Sequence, residues 1–547
     1  MVRSWVWAAG AAMVVAASAW AGVAGADALY AAALKDKHNG LYDRAARELT
    51  QALTLQPDHI GAAWTLGWIY AEKGDKAEAA AQFRRILRWV PGTTMAFEAD
   101  AALARMGQSA FPVRADLSGI PPTAMAVAAQ RVIEHASNPL WTAGGNLLVY
   151  TRLGMGICIA EADGTQPRLV GPGLRLVGLS DDGRFGYGVT TSPPLQFCEV
   201  NLLASSTRHL AAKLPGTVDR LLAAPGGKGL AVICDVPDGK GGTAQVMAFL
   251  NADGAVLNCS APSHLAVAPT WAADGSKLLW AADGKVMVAG PDGADCKAVA
   301  DGLWASWLTP SQVLVRGAKG DVSIMGADGS GAVALVETDK DLGISDTWAS
   351  PSGKYVLYRE NGRSYSVVDV ATKRTYLLGG RTDPVDSAAW LAKSDMLVVG
   401  HRDREFGSEP LWELIDAAKP ADFHPLVRDA FVWGSVEVAP DGRLACYWRG
   451  RPDSVKFAPS GSYRQDFSGE LVVGATDNSA RLPWSTVGDA AEGTSTGMAW
   501  SPRSDALVYW VPAKESIGVI TLRAKKEAEA GPIWPVGVDR KDKTPAS

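Results

Sequence analysis

Histidine, cysteine and one-sided charge are all scarce in this chain, and each shortage closes off a class of function. Seven histidines stand in 547 residues (His38, His59, His135, His209, His264, His401 and His424), with no pair at the i, i+4 spacing of a helical metal site. The six cysteines form no Cys-x-x-Cys unit, which argues against bound metal. Asp339, Asp341 and Asp346 are grouped as in a calcium loop. They lack the remaining ligand pattern and the closing Glu, and read as an acidic surface turn. The 53 basic and 58 acidic side chains leave a net charge of -5. A phosphate-binding surface shows a basic excess or stripe, so nucleic acid is not an expected partner.

Catalytic motifs are missing too. Gly493-Thr494-Ser495-Thr496-Gly497 fits the G-x-S-x-G pattern, but a hydrolase elbow needs an apolar strand before it and a helix and a histidine after it. The last histidine is His424, and small and acidic residues precede the motif, so it reads as a loop. Gly171-Pro172-Gly173 opens no strand-turn-helix and is a turn. No catalytic residue and no cofactor is assigned.

What the chain does hold is turn formers and tryptophan: Gly 58, Pro 31 and Trp 20. That composition suits short strands joined by tight turns. The N-terminus, MVRSWVWAAGAAMVVAASAWAGVAGADA, reads as a signal peptide over 1–26. Arg3 supplies the charge, Trp5 to Ala21 the apolar stretch, and Ala24-Gly25-Ala26 the cleavage signature. Cleavage is expected after Ala26, with Ala28 next; an uncleaved anchor is the alternative. No later stretch is apolar and long enough to span a bilayer, so no integral membrane segment is expected in the mature chain. In an exported protein six cysteines allow up to three disulfides. Cys158, Cys198, Cys259 and Cys296 are the expected participants, while Cys234 and Cys446 sit in apolar strand-like runs as buried thiols.

Residues 27–107 repeat with a shift of 34. Ala45 maps to Ala79, Leu49 to Phe83 and Pro57 to Pro91. Leu66, Gly67, Tyr70, Ala79, Phe83 and Pro91 occupy the places of the tetratricopeptide pattern. Gly67 and Ala79 allow two helices to approach, Tyr70 and Phe83 fill between them, and Pro91 ends the second. The first copy carries Ala33 for the glycine and Asp36 for the tyrosine. Ala99 to Met106 is expected to cap the stack. Arg84, Arg85 and Arg88 form a candidate partner-docking cluster, with a plain solvated helix face as the alternative.

A linker with a helix near 124–135 is expected over 108–137. From 138 to 522 one phrase recurs: an apolar or aromatic residue, a few turn formers, then an apolar strand. Copies surround Trp141, Asp182, Gly227, Trp271, Trp307, Trp348, Trp390, Pro440 and Trp500. Trp271, Trp307, Trp348 and Trp390 follow at steps of 36, 41 and 42 residues, one four-stranded propeller blade per copy. The recurring tryptophans are expected between blades. Eight blades are expected, with seven and nine open. VMVAGPDGA at Val286 and VSIMGADGS at Val322 read as exits from one blade to the next. Long insertions at 403–430 and 456–494 are expected to emerge as loops, and 523–547 as a tail that starts with a short helical run.

The phrase in Trp348-Ala349-Ser350-Pro351-Ser352-Gly353-Lys354 and Trp500-Ser501-Pro502 resembles the propeller repeats of the periplasmic TolB family, and more loosely those capping prolyl-oligopeptidase-like enzymes. The resemblance covers roughly 138–522. It implies a protein-binding propeller in the periplasm, working with envelope proteins; here helical repeats replace the α/β domain that precedes the TolB propeller. The expectation is therefore a non-catalytic, exported scaffold of tetratricopeptide-like helices followed by a β-propeller. The competing reading is an enzyme, or a small-ligand or glycan sensor, with its site at the propeller channel.

Overall fold

The computed structural model describes residues 24–90, 93–108, 117–210, 212–251, 253–337, 343–360, 364–380, 383–391, 394–401, 411–420, 423–427, 432–457, 463–476, 481–482, 497–511 and 515–525. By contacts the chain divides into two compact units. One is Met1–Val113 with Val200–Thr207; the other is Arg114–Glu199 with Arg208–Ser547.

Among its described residues the first unit holds five helices: α1 over 24–38, α2 Tyr42–Leu55, α3 Ile60–Lys73, α4 Lys76–Trp89 and α5 Thr94–Arg105. α2 and α4 are one-sided helices. Ala45, Ala46, Leu49, Ala52 and Leu53 recur at three- and four-residue steps and are buried. α3 is apolar on more than one side, because both α2 and α4 pack on it. Gly67 makes the α3–α4 approach possible: a Cβ there would stand 3.0 Å from Cε1 of Phe83. Phe83 has no exposed surface, and its ring meets Trp64 and Trp68 edge-on at 5.8 and 5.2 Å. The first copy's departures from the repeat pattern are accommodated locally. Ala33 is buried, and Asp36 pairs with Arg44 at 2.8 Å. His59 caps α3 by accepting from the Ala62 amide, and its other ring nitrogen is 3.2 Å from Asp27. α5 begins five residues earlier than the expected cap, where Thr93 accepts from the Ala96 amide. Pro91 lies outside the described residues.

The strands from Met125 to Ala524 form a propeller of nine blades. Blades 1 to 8 span Ala136–Pro172, Leu174–His209, Thr217–Cys259, Leu265–Asp301, Trp304–Val336, Ile344–Leu377, Gly379–Val427 and Val432–Leu482. Blade 9 combines Met498–Trp500, Ala506–Val511 and Ser516–Ala524 with Met125–Ile133, which pairs antiparallel to the last strand. The count lies at the top of the seven-to-nine range because every one of the nine phrases makes a blade. The ring closes with a strand taken from before the first phrase. That strand corrects the helix expected near 124–135. Its residues Ala126 to Ile133 hold a ladder against Ile517 to Arg523, and tertiary pairing overrides the local helical pattern.

The second and third strands of each blade have neighbours on both faces and so read as continuous apolar runs: Leu147–Arg152 and Leu278–Ala282 are buried almost throughout. The core is accordingly cut into layers between blades. Leu279, Val286 and Val288 of blade 4, for example, pack against Val313, Val315 and Met325 of blade 5.

Three further expectations are corrected. The GPDGA and GADGS turns join the third and fourth strands within blades 4 and 5 and do not leave the blade. In them Asp292 accepts from the Ala294 amide, and Asp328 from both amide and hydroxyl of Ser330. The stretches expected as loops at 403–430 and 456–494 contribute the strands Leu411–Asp416, Phe423–Val427 and most of blade 8's third strand, Tyr463–Ala475. Arg523 and Ala524, expected to open a helical run, finish the last strand.

The disulfide expectation is overturned. All six cysteines are free. Cys158, Cys198, Cys234 and Cys446 sit on strands of blades 1, 2, 3 and 8; Cys158, Cys234 and Cys446 fill separate layers between neighbouring blades, and a disulfide needs Cα atoms about 5.5–6 Å apart. Burial pushes the Cys158 and Cys234 thiols up to about 11 and that of Cys446 well above its ordinary value. Thiol titration without reductant is therefore expected to find Cys259, the exposed one, reacting first in the native chain. All six should react once the chain is denatured; fewer than six would mean a disulfide.

Candidate interaction surface

The first strands of consecutive blades adjoin one another around the ring, and a row of tryptophans locks them together. Each indole N–H donates to a backbone carbonyl on the first strand of the preceding blade. Trp141 donates to Ala499 at 3.1 Å, Trp271 to Leu222 at 3.1 Å and Trp307 to Thr270 at 3.0 Å. Trp390 donates to Trp348 at 3.0 Å and Trp500 to Glu437 at 2.9 Å. Trp348 serves through its carbonyl, while its ring stacks on Tyr365. These rings are therefore committed to blade-to-blade contacts. Trp307→Phe keeps the packing and deletes the bond, with an expected cost of about 1 kcal/mol in chemical denaturation. A loss several times larger would mean the indole does more than latch.

In a four-stranded blade the first–second and third–fourth turns fall on the same face, because the strands alternate direction. On that face blades 2, 3 and 4 enclose a groove of about 1380 Å³. Its walls are the turns Ser180–Asp182, Gly226–Leu230, Ser276–Lys277 and Gly290–Lys297, with Tyr187 and Leu257 on the flanks. Cross-blade bonds hold these turns. Asp181 accepts from the Gly226 amide at 2.8 Å, and Lys228 donates to the Asp274 carbonyl at 2.7 Å. Burial, with Glu199 alongside, holds the Tyr187 hydroxyl well above its ordinary value, so it stays a neutral group. Glu199 is paired with Arg208 at 2.9 Å. The surface thus offers apolar patches between fixed charges of both signs.

Cys198 lies 3.3 Å from Nδ1 of His209 in a buried position, and burial raises its thiol above the ordinary value. His264 sits between Asp283 at 3.2 Å and Asp238 at 3.7 Å on an exposed edge. Among the described residues no group of three or more His, Cys, Asp or Glu could hold a metal ion. Asp346 is engaged by Arg359 and Ser345; Asp339 and Asp341 lie outside the described residues, as do Gly493 to Thr496. Of the arginine cluster on α4, Arg84 is half-buried, and burial lowers its guanidinium from the ordinary value. Arg85 donates to Gln82 and lies over the Trp89 ring, and the Arg88 side chain is outside the described residues. The sequence marks the groove-lining turns as blade turns, at Asp182, at Gly227 and in the GPDGA phrase, and does not gather them into one surface. The parity of turns in a four-stranded repeat was the signal that could have gathered them.

Residues 38–105 match the tetratricopeptide repeat family model. No curated protein is matched by the sequence. Among solved structures, the chain is similar to the β-propeller domain of Cps50 (Swd1) from Myceliophteria thermophila, with 13% identity, TM-score 0.34, and 56% of this chain and 97% of that chain covered. It is also similar to the C-terminal WD40 domain of Sif2, with 12% identity, TM-score 0.42, and 72% and 98% covered. The WD40 domain of SCAP from fission yeast gives 8% identity, TM-score 0.33, and 72% and 98% covered. Likenesses this distant carry nothing further, and the nine-bladed architecture rests on the strand pairing. Among the described residues no helix is long and apolar enough to cross a membrane.

Proposed function

We propose that this chain is a non-catalytic scaffold that seats partner proteins in the groove across blades 2 to 4, within the bacterial periplasm. The groove carries the reading. Its volume, about 1380 Å³, exceeds the roughly 300–1,000 Å³ of small-ligand pockets and suits an extended polypeptide. Leu230, Leu257 and Pro291 offer apolar contacts, while Lys277, Lys297, Asp292 and Asp295 would orient a partner by charge. The helical repeats supply a second surface of the kind that docks proteins. The N-terminal segment and the TolB-like phrases support the periplasmic setting and a role in envelope organisation.

The test is affinity capture from envelope extracts with mild crosslinking, using the whole chain and a Leu257→Glu/Lys297→Glu variant. A partner held in fixed ratio by the first and lost by the second is expected. Equal recovery by the variant would remove the groove from the role, and recovery of no partner would remove the scaffold reading. For the compartment, the chain isolated from periplasmic extract is expected to start at Asp27 or Leu29. An intact Met1 in the cytosolic fraction would contradict it.

A further inference from the structure

The face opposite the groove carries a second cavity. In each blade the second–third turn and the link to the next blade fall on that face, because the strands alternate direction. Between blades 2 and 3 these two segments, 189–197 and 209–218, enclose about 310 Å³. Backbone bonds hold both walls. The Thr191 amide and hydroxyl donate to the Gly173 carbonyl, in the link that precedes blade 2, at 2.9 and 3.1 Å. The Thr190 hydroxyl donates to the Pro194 carbonyl at 3.1 Å and accepts from the Gln196 amide at 2.8 Å. Across the cavity the Leu210 amide donates to the Phe197 carbonyl at 2.9 Å. The walls are fixed by the fold, so the cavity is preformed.

Its chemistry is layered. The floor is Val189, Phe197, Leu210 and Val218, all buried in the apolar layer between the two blades. The rim is Gln196, His209, Lys213 and Thr217, all exposed. Among the described lining residues Lys213 carries the one fixed charge, and none is acidic. The groove, by contrast, is lined by acids and bases together. Size restricts the occupant further. If each non-hydrogen atom takes the ~30 Å³ that one water fills in the liquid, the cavity holds roughly ten of them. That is one small molecule. An apolar floor under a single cation selects an apolar body with a negative end. No amino-acid side chain combines that apolar bulk with a carboxylate, so a free acid fits better than a side chain inserted by a partner.

We propose that this cavity binds a small lipophilic carboxylic acid of about ten non-hydrogen atoms. The apolar tail rests on Phe197 and its three aliphatic neighbours, and the carboxylate meets the Lys213 ammonium at the rim. Burial of the tail supplies most of the affinity, and Lys213 supplies the preference for a negative head. The site is separate from the groove, since the two open on opposite faces of the ring.

Octanoate has the required size and is the probe, titrated calorimetrically into the full chain beside octanol and octyltrimethylammonium. Saturable binding of octanoate is expected, tighter than that of octanol, with the cation weakest of the three. Lys213→Gln is expected to weaken octanoate about 5-fold, the effect of losing one exposed ion pair, and to leave octanol unchanged. Ala212→Trp fills the cavity from the partly exposed link, and should remove octanoate and octanol alike at an unchanged melting temperature. No saturable octanoate binding, or equal binding of the anion and the cation, would overturn the proposal. So would an octanoate affinity that is the same in Lys213→Gln, or one that survives Ala212→Trp in a folded chain, which would place the acid elsewhere on the molecule.

Discussion

Gly275→Ala is expected to destabilise the propeller by about 3–5 kcal/mol. Gly275 closes the first turn of blade 4 at φ +68, and a Cβ there would stand 2.2 Å from the Pro225 carbonyl oxygen of blade 3. Two costs combine. A non-glycine residue in the left-handed region costs about 1–2 kcal/mol. The neighbouring backbone must also move, and it is tied at Gly226 to Asp181 and at Lys228 to Asp274. Gly284→Ala separates the two, since that glycine has φ +74 in the same blade but nothing within 4 Å of its missing Cβ. Urea unfolding should give the second variant only the backbone cost. Equal losses in the two variants would show that the close approach across blades is not what holds the turn. The same turn lines the groove, so Gly275→Ala is also expected to weaken partner capture.

Phe83→Ala is expected to unfold the helical unit while leaving the propeller folded. The ring is buried completely between Gly67, Trp64 and Trp68, and emptying such a site costs about 3–5 kcal/mol. A helical unit of this size holds roughly 5 kcal/mol in total. Far-ultraviolet circular dichroism should lose its helical signal near room temperature, while the strand signal persists to the melting temperature of the unaltered chain. A helical signal that survives with only a small shift would mean that Phe83 is not the centre of that core. Together the two variants tell which unit carries which partner, since each disables one and spares the other.

Repetition made the architecture legible. A helix pair recurring every 34 residues and a strand phrase recurring nine times need no long-range information, because each copy packs on its neighbour in the same way. Gly67, Phe83 and the series from Trp271 to Trp500 stand out for that reason. The single breaks in the repeat were harder to read. Met125–Ile133 looks helical in isolation, and its state is decided by a partner strand almost 400 residues away, from Ser516 to Ala524. The same non-local choice took the blade count to nine. Cysteine number and compartment suggested bridges, whereas whether two sulfurs meet depends on which blade and which face each strand occupies.

The sequence by itself determined the two kinds of unit, their order, and the turns that need glycine, because these follow from local periodicity and backbone sterics. Tertiary structure alone decided the ring closure, the free thiols and the groove over blades 2 to 4. Each of these depends on which backbone groups are already paired. The carbonyls of Leu222 and Thr270 take their tryptophans only when blades stand side by side.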